Sequence, residues 1–397
     1  MLEFYSFTLF GLFLPVISPL FFPEKDPQAS LLYGYLFFAV GFFAYPFGAL
    51  LFGHIGDRLG RKKALSLSIF IMAAPTALIG LLPSYASFGI LAPLLLCFCR
   101  VVQGICAGGE YNGAGIFIIE HAPQNRQGFS GAIVAAGGTF GAFCATFVGF
   151  IFTLPGMPIW AWRIPFFLGA LMGCVGFYIR REIKESPQFM EDSLNPKKSP
   201  VIILFRHHFK AFLCVVGMGA LGTVPFYLVI GYLNIYFVTI GKITLGNMMI
   251  LNMALTLFCA LTLPFVGKFA DRIGHVRLMV LSSLLLFGSS FLVFHLLQET
   301  SIFVVALGEF LILALSQGYV APLNAFASKL FPVSVRYSGV SFGYCVGMAM
   351  FGGTSPYISA LLVASFGTFM APAFYLMFVC VLGVISILKA ERLQSKR

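Results

Sequence analysis

The stretch Gly53-His-Ile-Gly-Asp57-Arg58-Leu-Gly60-Arg61-Lys62-Lys63 returns further along the chain as Gly267-Lys-Phe-Ala-Asp271-Arg272-Ile-Gly274-His275. From Asp57 to Asp271 the offset is 214 residues, and from Arg126 to Arg336, each leading into a glycine-rich apolar run, it is 210. Two offsets that nearly agree describe a duplicated chain whose halves run in parallel. Each copy of the motif is a short basic turn between two long apolar runs.

Outward from that turn the same texture holds over all 397 residues. The chain is 59% hydrophobic and 10% charged with a mean hydropathy of +0.94, which excludes a water-soluble domain, a disordered chain, collagen and a disulfide scaffold. A helical crossing needs about 20 apolar residues. Runs of that kind cover 1–22, 30–53, 64–83, 90–119, 129–154, 162–180, 209–240, 246–267, 278–297, 301–325, 337–364 and 367–388, which makes twelve. They lack strand-like alternation and are threaded with Gly and Ala, so they read as closely packed helices. The nine cysteines all fall inside apolar runs and read as small packing residues. The first run has neither a basic leader nor a small-residue cleavage site, so the first helix itself is expected to target the chain.

The net charge of +11 follows the membrane rather than a nucleic acid. Of the 25 lysines and arginines, Lys25, Arg163 and Lys242 fall in the loops after odd-numbered runs and Arg100 lies inside a run, leaving 21 for the other loops and the tail. The positive-inside rule then expects both chain ends in the cytoplasm, with Trp160 and Trp162 at the outer interface. The longest polar stretch, from Arg181 to His208 with Glu182, Glu185, Glu191, Asp192, Lys197 and Lys198, divides the chain into a six-helix bundle over 1–180, a linker over 181–208 and a second bundle over 209–397. Parallel six-helix halves with a site at their interface describe a secondary transporter.

At Gly53 to Lys63, Arg100 to Glu110 and Asp271-Arg272 the chain resembles the major facilitator superfamily. Glu3-Phe-Tyr-Ser-Phe7, Gly108-Gly109-Glu110-Tyr111, Trp162-Arg163-Ile-Pro165-Phe-Phe167 and the segment from Phe331-Pro332 to Arg336-Tyr337 are similar to its metabolite:proton symporter family, which includes proline/betaine, citrate, oxoglutarate and shikimate carriers. The resemblance implies an all-α membrane protein of twelve transmembrane helices in two six-helix bundles, carrying a small polar organic solute by alternating access in proton-coupled symport across a bacterial inner membrane. A proton-independent facilitator, a drug exporter and a non-transporting receptor are the alternatives. The chain departs from the family where Ser6 replaces an Asp and Tyr45 replaces the Arg before Pro46. By resemblance, Asp57 would meet the helix beginning near Tyr337 and Asp271 the helix near Ser130. Gly53, Asp57, Arg58, Gly60, Arg61, Arg126, Asp271, Arg272 and Arg336 are then expected to form a cytoplasmic gate, since helix N-termini favour carboxylates.

Ionisable groups inside a crossing are costly and mark function. Arg100, Gln103, Ala107 and Glu110 are spaced to share a broad helix face, expected to point into the central cavity, with Arg100 and Glu110 too far apart to pair. Glu3, Glu110 and Glu309 are the candidate proton carriers. Tyr111, Tyr227, Tyr232, Tyr236, Gln317 and Asn324 are candidate substrate contacts. His54, His121, His207, His208 and His275 read as solvated residues near cytoplasmic ends, and His295 as an interfacial one. The chain has no Walker loop, nucleotide fingerprint or His-Glu-x-x-His, so no enzyme, metal or cofactor is expected. The expected partners are a small-molecule substrate, protons and membrane lipid, without nucleic acid.

Overall fold

The computed structural model describes residues 1–23, 27–192, 200–299 and 301–395, so Lys25, Lys197, Lys198, Lys396 and Arg397 lie outside the described residues. Every regular element among the described residues is helical. Eleven helices are long and apolar enough to span a membrane, and one bent pair makes a twelfth. That pair is α1, whose segments Leu2–Leu12 and Leu14–Phe21 meet at 68°, where Pro15 follows the break. The others are α2 (Pro27–Arg58), α3 (Arg61–Leu81), α4 (Leu91–His121), α5 (Gln127–Phe152) and α6 (Ile164–Glu182) in the first half. The second half holds α7 (Phe209–Tyr227, continuing through Leu228–Leu233 to Thr239), α8 (Leu245–Ile273), α9 (His275–Leu296) and α10 (Ile302–Ser328). It closes with α11 (Val333–Gly347, continuing through Met348–Gly352, then Ser355–Phe366) and α12 (Ala371–Gln394).

The repeated basic turn is tighter than its sequence suggests. Helix α2 runs on to Arg58 and α3 starts at Arg61, so only Leu59 and Gly60 turn the chain. Gly60 sits at φ +107 and its repeat partner Gly274 at φ +98, a region that a Cβ makes strained. Both glycines therefore serve the same reversal of direction in the two halves.

Within the first half α2 packs on α4 and α3 on α6; within the second, α7 packs on α11 and α12, and α9 on α10. The halves meet along two seams, α2 against α11 and α5 against α8. Glycines set the depth of the α2–α4 contact. A Cβ at Gly48 would collide with the Ile105 carbonyl, one at Gly104 with the Gly41 carbonyl, and one at Gly108 with the Tyr45 carbonyl. Small residues let backbones approach to that distance, which is how membrane helices associate without a hydrophobic driving force. Gly104→Ala is therefore expected to cost about 1–3 kcal/mol by overpacking, read as a lower midpoint of thermal unfolding in detergent; an unchanged midpoint would show that the contact yields freely.

Two expectations need correction here. Trp162 is buried, its ring edge-on to Phe21 and Phe166, so only Trp160 of the pair is exposed. Its neighbour Arg163 explains this, lying 4.7 Å from the Trp162 ring and donating to the Gly80 carbonyl, which ties the turn inward. The second concerns the cysteines, of which six are buried but Cys174 is exposed rather than packed.

Candidate functional site

Both halves line one central cavity of about 70 Å³. Helix α1 contributes Glu3 and Phe4, α2 Tyr45, α4 Ala107, Tyr111 and Asn112, and α5 Ala135 and Thr139. From the second half come Thr223, Phe226 and Tyr227 of α7, Cys259 of α8, Ser316 and Gln317 of α10, and Tyr344, Cys345 and Met348 of α11. Wide π-type turns begin at Leu228 and Met348, next to these lining residues, and such turns re-aim side chains at functional sites.

Glu3 is the one charged side chain among the described lining residues. It is 4% exposed and lies in hydrogen-bonding reach of the Tyr45 hydroxyl. Tyr45 was singled out only as a departure from the family; here it links α2 to α1 through Glu3, while Ser6 meets Thr76 at 3.5 Å. Aromatic rings make up much of the wall. Tyr111 is 5.6 Å from both Phe4 and Tyr344, and Tyr227 packs on Phe42 at 5.2 Å. Gln317 accepts from Thr262 at 2.8 Å and donates toward the Cys259 sulfur.

Four of the expected contacts, Glu3, Tyr111, Tyr227 and Gln317, thus line the cavity, and the others do not. The Arg100 face is split. Its guanidinium carbon lies 4.1 Å from the Phe7 ring centroid and 4.4 Å from that of Phe10, and Nη1 donates to Gln103 at 2.9 Å. Gln103 in turn donates to Thr76 at 3.0 Å. Aromatic faces thereby take the place of the wet cavity the arginine was expected to need. Glu110 accepts from Arg180 at 3.1 Å, tying α4 to α6, so it too faces its own bundle. Of that face only Ala107 reaches the cavity.

Glu309 is fully buried with neither oxygen hydrogen-bonded among the described residues. It lies one turn before the lining residue Leu313 on α10. Tyr232 and Tyr236 pack on one another, and Tyr236 stacks on Phe369 at 4.6 Å. Asn324 stands behind the wall, against Gly115.

At the end carrying Gly60 and Gly274, each seam is closed by an aspartate. Asp57 accepts from the Tyr337 and Ser338 amides at 3.1 and 2.9 Å, and Arg61 beside it, 3.4 Å away, donates to the Val333 carbonyl. Val333 C=O and Tyr337 N–H both belong to the first turns of α11, so the pair from α2 and α3 engages that helix start through a carbonyl and amides together. Close approach is possible because a Cβ at Gly53 would meet Ser338 and one at Gly56 the Tyr337 ring. On the other seam Asp271 accepts from the Gly128 and Phe129 amides at 2.7 and 2.9 Å, the first turn of α5. His275, at the place of Arg61, lies 3.0 Å from Asp271 and so belongs to the contact rather than to solvent.

A residue that sequence reasoning passed over organises the first seam. Glu120, fully buried at the end of α4, receives Arg61 through Nε at 3.1 Å and Nη2 at 3.2 Å, Arg336 at 2.9 Å, and the Ser186 hydroxyl. Arg336 also donates to Gln188 at 2.6 Å. Its signal was faint, an acid directly after the apolar run 90–119 and three residues before Pro123. Arg58, Arg126 and Arg272 are exposed at this end, and neither Arg126 nor Arg272 makes an ion pair among the described residues. An exposed cation is held by water, not by a partner, so these two stand outside the closed contacts.

Comparison with known proteins agrees with this architecture. The family model described as Sugar (and other) transporter matches residues 1–199. The proline/betaine transporter of Salmonella typhimurium is 30% identical over 401 residues, covering 97% of this chain and 80% of that protein. The shikimate transporter of Escherichia coli is 31% identical over 397 residues, covering 97% and 91%, and the glycine betaine/proline/ectoine/pipecolic acid transporter OusA of Dickeya dadantii is 28% identical over 410, covering 100% and 82%. Among solved structures, a XylE variant with two introduced tryptophans superposes with a TM-score of 0.75 at 15% identity, over 100% of this chain and 97% of that one. The proton:xylose symporter XylE bound to 6-bromo-6-deoxy-D-glucose gives 0.72 at 16% identity, over 98% and 93%.

Proposed function

Since the chain belongs to the major facilitator superfamily and is a multi-pass secondary active solute transporter, we propose that its cargo is a small zwitterion or alkylammonium compound moved together with protons. The observation that carries this is the lone carboxylate Glu3 in a wall of Tyr45, Tyr111, Tyr227, Tyr344 and Phe226, with no lysine or arginine lining the cavity among the described residues. A carboxylate and aromatic faces suit a cationic nitrogen. A purely anionic solute would enter a low-dielectric site without a counter-charge, which is costly. Two of the three relatives described above are named for betaine or proline and one for shikimate, which fits that choice. Radiolabelled glycine betaine should accumulate in proteoliposomes under an imposed pH gradient and shikimate should not. Accumulation of shikimate alone, or betaine uptake blind to the gradient, would overturn the assignment.

In this reading residues 1–180 and 209–397 are the two moving bundles, joined by 181–208, in the inner membrane of a bacterium with both termini in the cytoplasm. The seams closed by Asp57 and Asp271 are the cytoplasmic gate, so the described state is closed toward the cytoplasm. Substrate, protons and lipid are its partners, and nucleic acid is not. Asp57→Asn keeps the shape but removes a charge facing two amides and Arg61, weakening the closed state by about 1–2 kcal/mol. Uptake should fall severalfold at matched expression, and less for Asp271→Asn, whose neighbour is a histidine. Equal and unchanged rates would remove the gate from the account.

A further inference from the structure

Away from the cavity, the first turns of α3 and the last turn of α6 border a groove on the flank of the first half. Its polarity is graded along the helix. Lys62, Lys63 and Arg181 stand at the mouth, Ser66 lies one turn deeper, and Phe70 and Phe177 form the floor with their rings 5.1 Å apart. From Lys62 to Phe70 the helix rises about 12 Å, the step from a headgroup layer into hydrocarbon. Glu185 also borders the mouth, but its carboxylate is occupied by the backbone amides of Arg61, Lys62 and Ser186. The three cations make no ion pair among the described residues, and the Ser66 hydroxyl is buried without a hydrogen-bond partner. Phe70 is 60% exposed, so the floor opens sideways rather than toward water above the mouth.

We propose that this groove binds an anionic glycerophospholipid. Its phosphate is held by Lys62, Lys63 and Arg181 with Ser66 donating to it, and an acyl chain lies along Phe70 and Phe177. Charge complementarity selects the anionic headgroup, and the aromatic floor selects a lipid over a soluble phosphate, which has nothing to place there. The placement rests on the orientation proposed above, which puts the mouth at the cytoplasmic leaflet.

The test is native mass spectrometry of the full chain in neutral detergent with dioleoyl phosphatidylglycerol, dioleoyl phosphatidylcholine or inorganic phosphate. Binding should favour phosphatidylglycerol, and each cation removed should weaken it about fivefold. The triple variant Lys62→Gln, Lys63→Gln, Arg181→Gln should show no preference, while Arg206→Gln, Lys268→Gln, Arg277→Gln, exposed at the same end, keeps it. Should the triple variant misfold, the single Arg181→Gln carries the same expectation at one step. Equal binding of both lipids, a preference that survives the triple variant, or displacement by millimolar inorganic phosphate would each overturn the assignment. Micelles have no sides, so failure here is separate from failure of the orientation, and betaine uptake is separate from both.

Discussion

Glu120→Gln is expected to shift the proposed cytoplasmic gate toward its open state. Arg61 comes from the first half and Arg336 from the second, and both guanidinium groups are partnered by this one buried carboxylate, with Arg61 fully buried and Arg336 15% exposed. Removing one partner of a buried ionic group costs about 3 kcal/mol or more, because the remaining charge stays buried. Arg61 would keep Asp57 at 3.4 Å, but Arg336 would keep only the neutral Gln188 and a backbone carbonyl. Of the two contacts only that of Arg336 crosses the seam, and its loss falls on the equilibrium between states rather than on the fold. A change of 3 kcal/mol moves that equilibrium by about a hundredfold. Cys345 reports it: its sulfur lines the cavity and touches the Gly108 carbonyl across the seam at 3.3 Å. Its modification by a maleimide applied from the cytoplasmic side, followed by peptide mass spectrometry, should accelerate by one to two orders of magnitude. A rate equal to that of the parent chain would show that Glu120 merely solvates two arginines.

The second large effect is expected at Glu3. A carboxylate that alone carries charge in the cavity is the place where a proton and the solute are felt together. Glu3→Gln fixes that position as neutral, retaining a hydrogen-bond acceptor toward Tyr45. A driving force of 100 mV on one charge is worth about 2.3 kcal/mol, which sustains roughly fiftyfold accumulation. In the variant that ratio should collapse toward one while exchange of labelled for unlabelled solute persists. Retained accumulation would transfer the role to Glu309, a buried acid whose oxygens have no hydrogen bond among the described residues, and Glu309→Gln is the companion measurement. Loss of exchange as well would instead make Glu3 a substrate contact alone.

The crossings were legible because twenty apolar residues between polar turns have few uses outside a bilayer, and the seams were legible because duplication printed Asp57 and Asp271 in matching frames. Side-chain direction was not. Arg100 looked like a cavity residue since a charge in lipid needs company, yet the sequence could not reveal that Phe7 and Phe10 would close over it from α1. Glu110 was offered to the cavity for want of a visible partner, and Arg180 is seventy residues away, on a helix whose rotation no local pattern fixes. Glu120 drew no attention because its value lies entirely in meeting Arg61 and Arg336, a three-way contact that only tertiary structure assembles. Tyr45 stands out in the sequence only as a departure from the family, and Tyr344 is hidden among many aromatics.

One substitution between the repeats has a mechanical outcome. Where the first seam carries Arg61 the second carries His275, and a guanidinium holds its charge at every physiological pH whereas an imidazole does so only when protonated. The two fastenings are therefore unequal in grip. Under the gate proposed above, the α5–α8 seam is therefore expected to part before the α2–α11 seam, so that the inward passage first appears as a slit on one flank and widens into a channel when the arginine side lets go.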